Sequence, residues 1–323
     1  MYYQLTITVF VFLCHYLISR AHYNMFNSTR ASSFPINPTS IGVIAIAMWA
    51  SLALLSVLTN MVPPFLLLAL CFFISGLLVL LKRAWYREPL FTLPKLTYSQ
   101  WFVGVGGLFG FHFFYFMAIR HAPALQVSLV CYLWPLLLAL YVSSPGNRWL
   151  TLLGASIGFI GAGVVITDGE VFDVADSFAS NDAVGYGYAL IAALIWSSYS
   201  WYMGKSNNHV EDIGWMSLVV ALLALICHLV LEANTLSTFI QINGINILAI
   251  ILLGLGPVGG AFYLWDIGMK FGHQSWLASL SFATPVLSTM LLALFGIGYL
   301  SINVLLALAL IMVGAGICNI KRG

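Results

Sequence analysis

Three groups of aromatic residues carry most of the recognisable chemistry in this 323-residue chain. Phe111, His112 and Tyr115 form the first, with Phe111 and Tyr115 one helical turn apart and therefore on one face. Tyr132-Leu133-Trp134-Pro135 is the second, and Trp196 with Tyr199 is the third. A buried Tyr or Trp needs a partner for its polar tip, and a central cavity supplies one. Rings with a few polar tips suit stacking around a flat organic side chain. His112 reads first as a neutral core histidine and second as a ligand contact. Pro135, and Pro285 further along, each remove a backbone donor inside an apolar stretch and free the carbonyl four residues earlier. Such carbonyls, with half-helix ends, suit a small zwitterion; the plainer reading of each proline is a kink that improves packing.

Other chemistries find no support. Gly154-Ala155-Ser156-Ile157-Gly158 matches a nucleophile-elbow string but sits in an apolar stretch without a strand-turn-helix setting, so its glycines read as helix-packing positions. Cys14, Cys71, Cys131, Cys227 and Cys318 lie in apolar segments with no close pair, and neither a disulfide frame nor a metal site is expected. No cofactor and no enzymatic activity are expected. Asp266 lies one turn from Lys270 and reads as an i, i+4 ion pair ahead of a proton relay.

The elements that position these residues are set by composition. With 61% hydrophobic and 7% charged residues and a mean hydropathy of +0.98, the chain cannot cover a water-facing exterior, so its solvent is the lipid bilayer. A net charge of +2 excludes a nucleic-acid partner. Long apolar runs, not the short alternation of a barrel, predict an all-α protein. Ten spans follow, over 41–59, 62–81, 99–119, 124–143, 149–167, 184–203, 213–232, 246–266, 274–295 and 300–319. With the first span starting in the cytoplasm, Arg120 alone among the Lys and Arg residues falls outside, so both termini are cytoplasmic. The segment 168–182, with Asp168, Glu170, Asp173, Asp176 and Asp182, becomes a hydrated external acidic loop. Residues 1–38 form an N-terminal extension whose apolar stretch Leu5 to Ile18 is too short for a full span.

The second half repeats the first. Ile44, Ala45, Trp49 and Ser51 match Ile191, Ala192, Trp196 and Ser198 at a shift of 147. Arg120, Pro135 and Leu137 match Lys270, Pro285 and Leu287 at a shift of 150, and Gly161-Ala162-Gly163 matches Gly314-Ala315-Gly316 at 153. The repeats are expected over 39–167 and 183–323. Five spans is an odd number, so the copies run through the membrane in opposite senses, the architecture of an alternating-access carrier with a site at the midplane.

These features, taken together, resemble the EamA branch of the drug/metabolite transporter superfamily over about residues 39 to 320. Within it, Tyr132-Leu133-Trp134-Pro135, the Trp196 helix and Ala283-Thr284-Pro285-Val286-Leu287-Ser288 are similar to the aromatic amino acid exporters of the YddG type. The resemblance implies a basket of ten helices and export of aromatic and other neutral amino acids. It implies cavity-lining roles for His112, Tyr115, Tyr132, Trp134 and Trp196, and bending at Pro135 and Pro285. The acid that many EamA members carry after the fourth and ninth spans is absent, the text reading Ser144-Pro145-Gly146 and Gly298-Tyr299-Leu300, and Phe111 stands where a tyrosine would look at home. The expectation is therefore a monomeric exporter in a bacterial inner membrane, its substrate held by Phe111, His112, Tyr115, Tyr132, Trp134, Trp196 and Tyr199 with hinges at Pro135 and Pro285. Without a central carboxylate, weakly coupled or facilitated movement is favoured. The competing reading is efflux of drug-like or other small metabolites by the same fold.

Overall fold

The computed structural model describes residues 36–170, 182–232, 243–297 and 299–320. Leu5 to Ile18 and the middle of the acidic loop lie outside the described residues. Within them, all regular structure is helical and no strand is present.

In chain order the helices are α1 Pro38–Ala50, α2 Leu52–Val57, α3 Pro64–Trp85, α4 Tyr98–His121, α5 Ala124–Cys131, α6 Trp134–Val142 and α7 Arg148–Ile166. The second half supplies α8 Ala183–Met203, α9 Asp212–Leu231, α10 Gly244–Leu255, α11 Gly260–Phe271, α12 Gln274–Leu280, α13 Thr284–Leu294 and α14 Ile302–Cys318. Among the described residues, eight segments are long and apolar enough to cross a membrane, four of them helix pairs or near-continuous stacks: α1 with α2, α5 with α6, α10 with α11, and α12 with α13. The Tyr- and Ser-bearing α8 and the 17-residue α14 accompany them.

Local sequence explains the helix ends. Thr97 and Gln100 exchange side-chain and backbone hydrogen bonds as a capping box at the start of α4, and Asn243 with Asn246 does the same for α10. Pro38 and Pro64 stand at the first positions of α1 and α3, where their missing donors cost nothing. The breaks also have identifiable causes. Pro135 and Pro285 each take the second position of a new helix, which separates α5 from α6 at Tyr132 and Leu133 and α12 from α13 at residues 281–283. Between α10 and α11, Pro257 lacks a donor, and a side chain on Gly259 would run into the Gly254 carbonyl.

Packing follows the pairs α1–α11, α3–α9, α4–α8, α6–α12 and α7–α14. Lipid gives helices no hydrophobic reason to associate, so close contact through small residues does the work. A Cβ on Gly154 of α7 would lie 2.5 Å from the Gly314 carbonyl of α14, so the two backbones meet directly. On α1, Gly42 likewise faces Gly268 of α11. The α3–α9 pair is tied at both ends by charge. At one end Lys82 reaches Glu211 at 2.7 Å and Glu88 at 3.0 Å, with Arg83 also on Glu211. At the other, Glu232 accepts from the backbone N–H groups of Phe65 at 2.9 Å and Leu66 at 3.3 Å, the positive end of α3, and from His228 at 2.6 Å.

Candidate functional site

The broken helices leave a cavity of about 390 Å³ in the middle of the bundle. Phe111, His112, Tyr115 and Phe116 reach it from α4, Tyr132 from the break after α5, Trp134 from the start of α6, and Trp196 from α8. Trp49, Phe262 and Thr284 complete the aromatic part of the wall and its hydroxyl edge. From there the space extends past Leu52 to Ser56 and Pro64, toward the end of the bundle that carries Arg120 and Glu232. Among the described residues, no Asp, Glu, Lys or Arg lines it.

Four indoles close its other end. Trp49 lies 5.0 Å from Trp265, 5.8 Å from Trp196 and 6.2 Å from Trp134 between ring centroids. Most of these pairs meet edge to face, the arrangement in which a positive ring edge meets a negative ring face. Phe111 stacks on Tyr115 at 6.1 Å and tilts against Trp196 at 5.6 Å, giving a second wall.

The polar groups are few and placed. His112 Nδ1 sits 2.7 Å from the Leu108 carbonyl, which can only accept, so Nδ1 carries the proton and Nε2 is left as an acceptor. Its ring packs edge-on against the stacked pair Phe72 and Phe262, at 5.5 and 6.1 Å, which fixes its direction. Tyr115, Tyr132, Ser128 and Thr284 add hydroxyl groups to the wall.

The structure thus brings Phe111, His112, Tyr115, Tyr132, Trp134 and Trp196 to one cavity. Tyr199 lies behind that surface, stacked on Trp196 at 5.1 Å and 3% exposed. Pro135 and Pro285 are buried at the helix breaks and do not line the space. One freed carbonyl is already answered: the Thr284 hydroxyl donates to Ser281 O at 2.9 Å, four residues before Pro285. Asp266 and Lys270 are paired at 2.6 Å, as their spacing predicts, beneath the indole floor. Trp49 and Phe262 escaped the reading of the sequence as site residues. Trp49 carried a usable signal as the repeat counterpart of Trp196, whereas Phe262 is one apolar ring in a long apolar run.

An all-helical bundle of apolar segments enclosing an aromatic, uncharged cavity defines a multi-pass membrane protein with a pocket for a small organic molecule. No family model matches the chain. Over 286 residues it is 39% identical to the aromatic amino acid exporter YddG of Ancylobacter novellus, covering 87% of this chain and 96% of that one. The YddG proteins of Escherichia coli and Salmonella typhimurium are each 26% identical, over 79% and 63% of this chain and 87% and 69% of theirs. A crystal structure with 39% identity superposes with a TM-score of 0.76, covering 87% of this chain and 96% of its own. The chain belongs to the YddG family, an EamA-type group of the drug/metabolite transporter superfamily.

Proposed function

We propose that this protein exports aromatic and other neutral amino acids across a bacterial inner membrane by alternating access. The observation that carries the reading is the cavity: nine aromatic and imidazole rings around an uncharged space of about 390 Å³, within the size range of small-molecule sites. Phe111, Tyr115, Tyr132, Trp134 and Trp196 hold the substrate side chain. His112 Nε2 accepts from the ammonium group, and Tyr199 supports Trp196 from behind.

The proposed frame is ten spans in two inverted halves, 39–167 and 183–323, joined by the external acidic loop 168–182 and preceded by the extension 1–38. Helix boundaries support it. α4 and α11 end at residues 150 apart, as His121 and Phe271, and α5 and α12 begin 150 apart, as do α6 and α13. The pairing supports it as well. Exchanging the halves turns the α1–α11 contact into the α8–α4 contact and returns α3–α9 and α7–α14 to themselves. The small pair Gly42 and Gly268 then corresponds to Ala118 and Ala189, which share one buried cluster.

With both termini cytoplasmic, the cavity opens toward the outside and the indole floor closes the cytoplasmic side. Pro135 and Pro285 are the bending points. Among the described residues no carboxylate lines the cavity, which supports facilitated movement without strict proton coupling; the proposed carrier acts as a monomer.

The test is efflux from intact cells. Cells expressing the chain are expected to release preloaded labelled phenylalanine faster than control cells and to resist a toxic fluorinated phenylalanine. Equal release by both would contradict export.

A further inference from the structure

Asp266 and Lys270 are a charged pair inside a membrane span with no part in the cavity already described. Their side chains are 2% and 5% exposed, and Asp266 Oδ2 accepts from Lys270 Nζ at 2.6 Å. Lys270 also donates to the Asn208 carbonyl at 2.9 Å, which uses two of its three N–H groups. Asp266 Oδ1 is buried without a hydrogen-bond partner. Buried ions in a span are costly, and an unfilled carboxylate acceptor adds to that cost.

The repeat states where these groups go when the carrier turns over. At the 150-residue shift, His112 corresponds to Phe262, Tyr115 to Trp265, Phe116 to Asp266 and Tyr132 to Phe282; at 147, Leu52 corresponds to Tyr199. Every first-named residue lines the cavity that is open now. All their counterparts except Phe262, which lines it too, are buried on the side that is closed. If the halves exchange conformations, the cytoplasm-facing cavity is lined by Tyr199, Phe262, Trp265, Phe282 and Asp266, with Lys270 one turn further toward the cytoplasm. That cavity, unlike the present one, contains two full and opposite charges.

We infer that Asp266 and Lys270 bind the zwitterionic head of the substrate in the cytoplasm-facing form. The ammonium group fills the vacant acceptor at Asp266 Oδ1, and the substrate carboxylate takes the third N–H of Lys270. The four charges sum to zero, so the pair need not separate. Tyr199 and Trp265 then flank the side chain. On turning outward the substrate leaves this charged pair for a site with His112 Nε2 and hydroxyl groups only, so the head group is selected on entry and held less tightly at release. This rests on the exporter reading above and extends it to a named head-group site.

The experiment compares the two faces in membrane vesicles. In inside-out vesicles, which present the cytoplasmic face, tryptamine lacks the carboxylate and indole-3-propionate lacks the ammonium. Both are expected to compete with labelled L-tryptophan at least about tenfold more weakly than unlabelled L-tryptophan does. D266N is expected to raise the KM for tryptophan about tenfold or more in inside-out vesicles and to leave it within about twofold in right-side-out vesicles. The reversed pair D266K/K270D restores the ion pair and the thermal stability but not the cytoplasmic-face KM. Tryptamine competing as well as tryptophan, an unchanged inside-out KM in D266N, or a KM restored by the reversed pair would each overturn the inference while leaving export intact. Absence of tryptophan uptake by the wild-type protein overturns the exporter reading and this one with it.

Discussion

His112 shows how a single side chain is prepared for a ligand. Its Nδ1 proton is committed to Leu108 O, its ring packs edge-on against the stacked pair Phe72 and Phe262, and Nε2 is the remaining acceptor. Replacing it with Phe keeps a ring of similar size and removes the acceptor together with the Nδ1–H bond to Leu108 O, a carbonyl that still accepts within the helix. His112→Phe is expected to raise the KM for tryptophan about tenfold, the effect of about 1.4 kcal/mol, with the melting temperature in detergent nearly unchanged. A melting temperature that falls while KM holds would make the histidine a packing residue. Among the candidate site residues, Phe111, His112, Tyr115, Tyr132, Trp134 and Trp196 are legible in the sequence because rings, most of them with polar tips, stand out mid-span, where an interface belt does not explain them. Ser128 and Thr284 are not, since a small hydroxyl inside a span usually bonds back to its own helix, as Ser128 does to Ala124 O at 2.7 Å. For Tyr199, helical spacing places it near Trp196 but does not say which of the two stacked rings faces the space.

At the scale of elements, the apolar runs locate the helices, while hydropathy alone does not see where a run is broken. The run 246–266 reads as one span and folds as α10 and α11, because Gly256-Pro257-Val258-Gly259 interrupts the ladder without lowering hydropathy. It also continues to Phe271, past the charges at which the reading stopped, because Asp266 and Lys270 neutralise one another. Gly154 and Gly158 of α7 are legible as packing positions, and the cost of crowding their contact with α14 can be measured. Gly314→Leu drives a side chain into the Gly154 carbonyl and is expected to destabilise the protein by about 1–3 kcal/mol, read as a lowered melting temperature. The same two helices are joined outside the membrane by Asp168, which accepts from Tyr299 at 2.8 Å and Ser301 at 3.0 Å. Donors from Tyr299, Asn303 and Ser301 hold its carboxyl below the usual carboxylate range. A group whose folded value is depressed stabilises fully above its unfolded value, about 3.9, and loses that contribution as pH falls through the folded value. The melting-temperature difference between wild type and Asp168→Asn is therefore expected to be constant above pH about 4 and to shrink below it. A difference that grows on acidification would contradict the assignment. Bending is tested by Pro135→Ala with Pro285→Ala, which restores a donor at each break. The double variant is expected to fold and to turn over more slowly with little change in KM.

For the whole molecule, the account is that two inverted halves alternate around one aromatic cavity. The proposal draws on the sequence, where the charge distribution suggests the orientation and the growing shifts of 147, 150 and 153 suggest the duplication. What a linear reading cannot supply is which spans touch, because pairs such as α1 with α11 and α4 with α8 join distant parts of the chain. The two faces are also unequal in a way that symmetry alone would hide: Phe116 stands where the other half has Asp266. The most direct measurement of the central claim is counterflow of labelled tryptophan, phenylalanine and leucine in liposomes holding the purified protein, with Trp134→Ala alongside and the folding of both checked by size-exclusion profile. The account predicts saturable exchange that prefers tryptophan and phenylalanine and is abolished by the substitution. Undiminished exchange in folded Trp134→Ala, or no exchange of any of the three by folded wild-type protein, would contradict it.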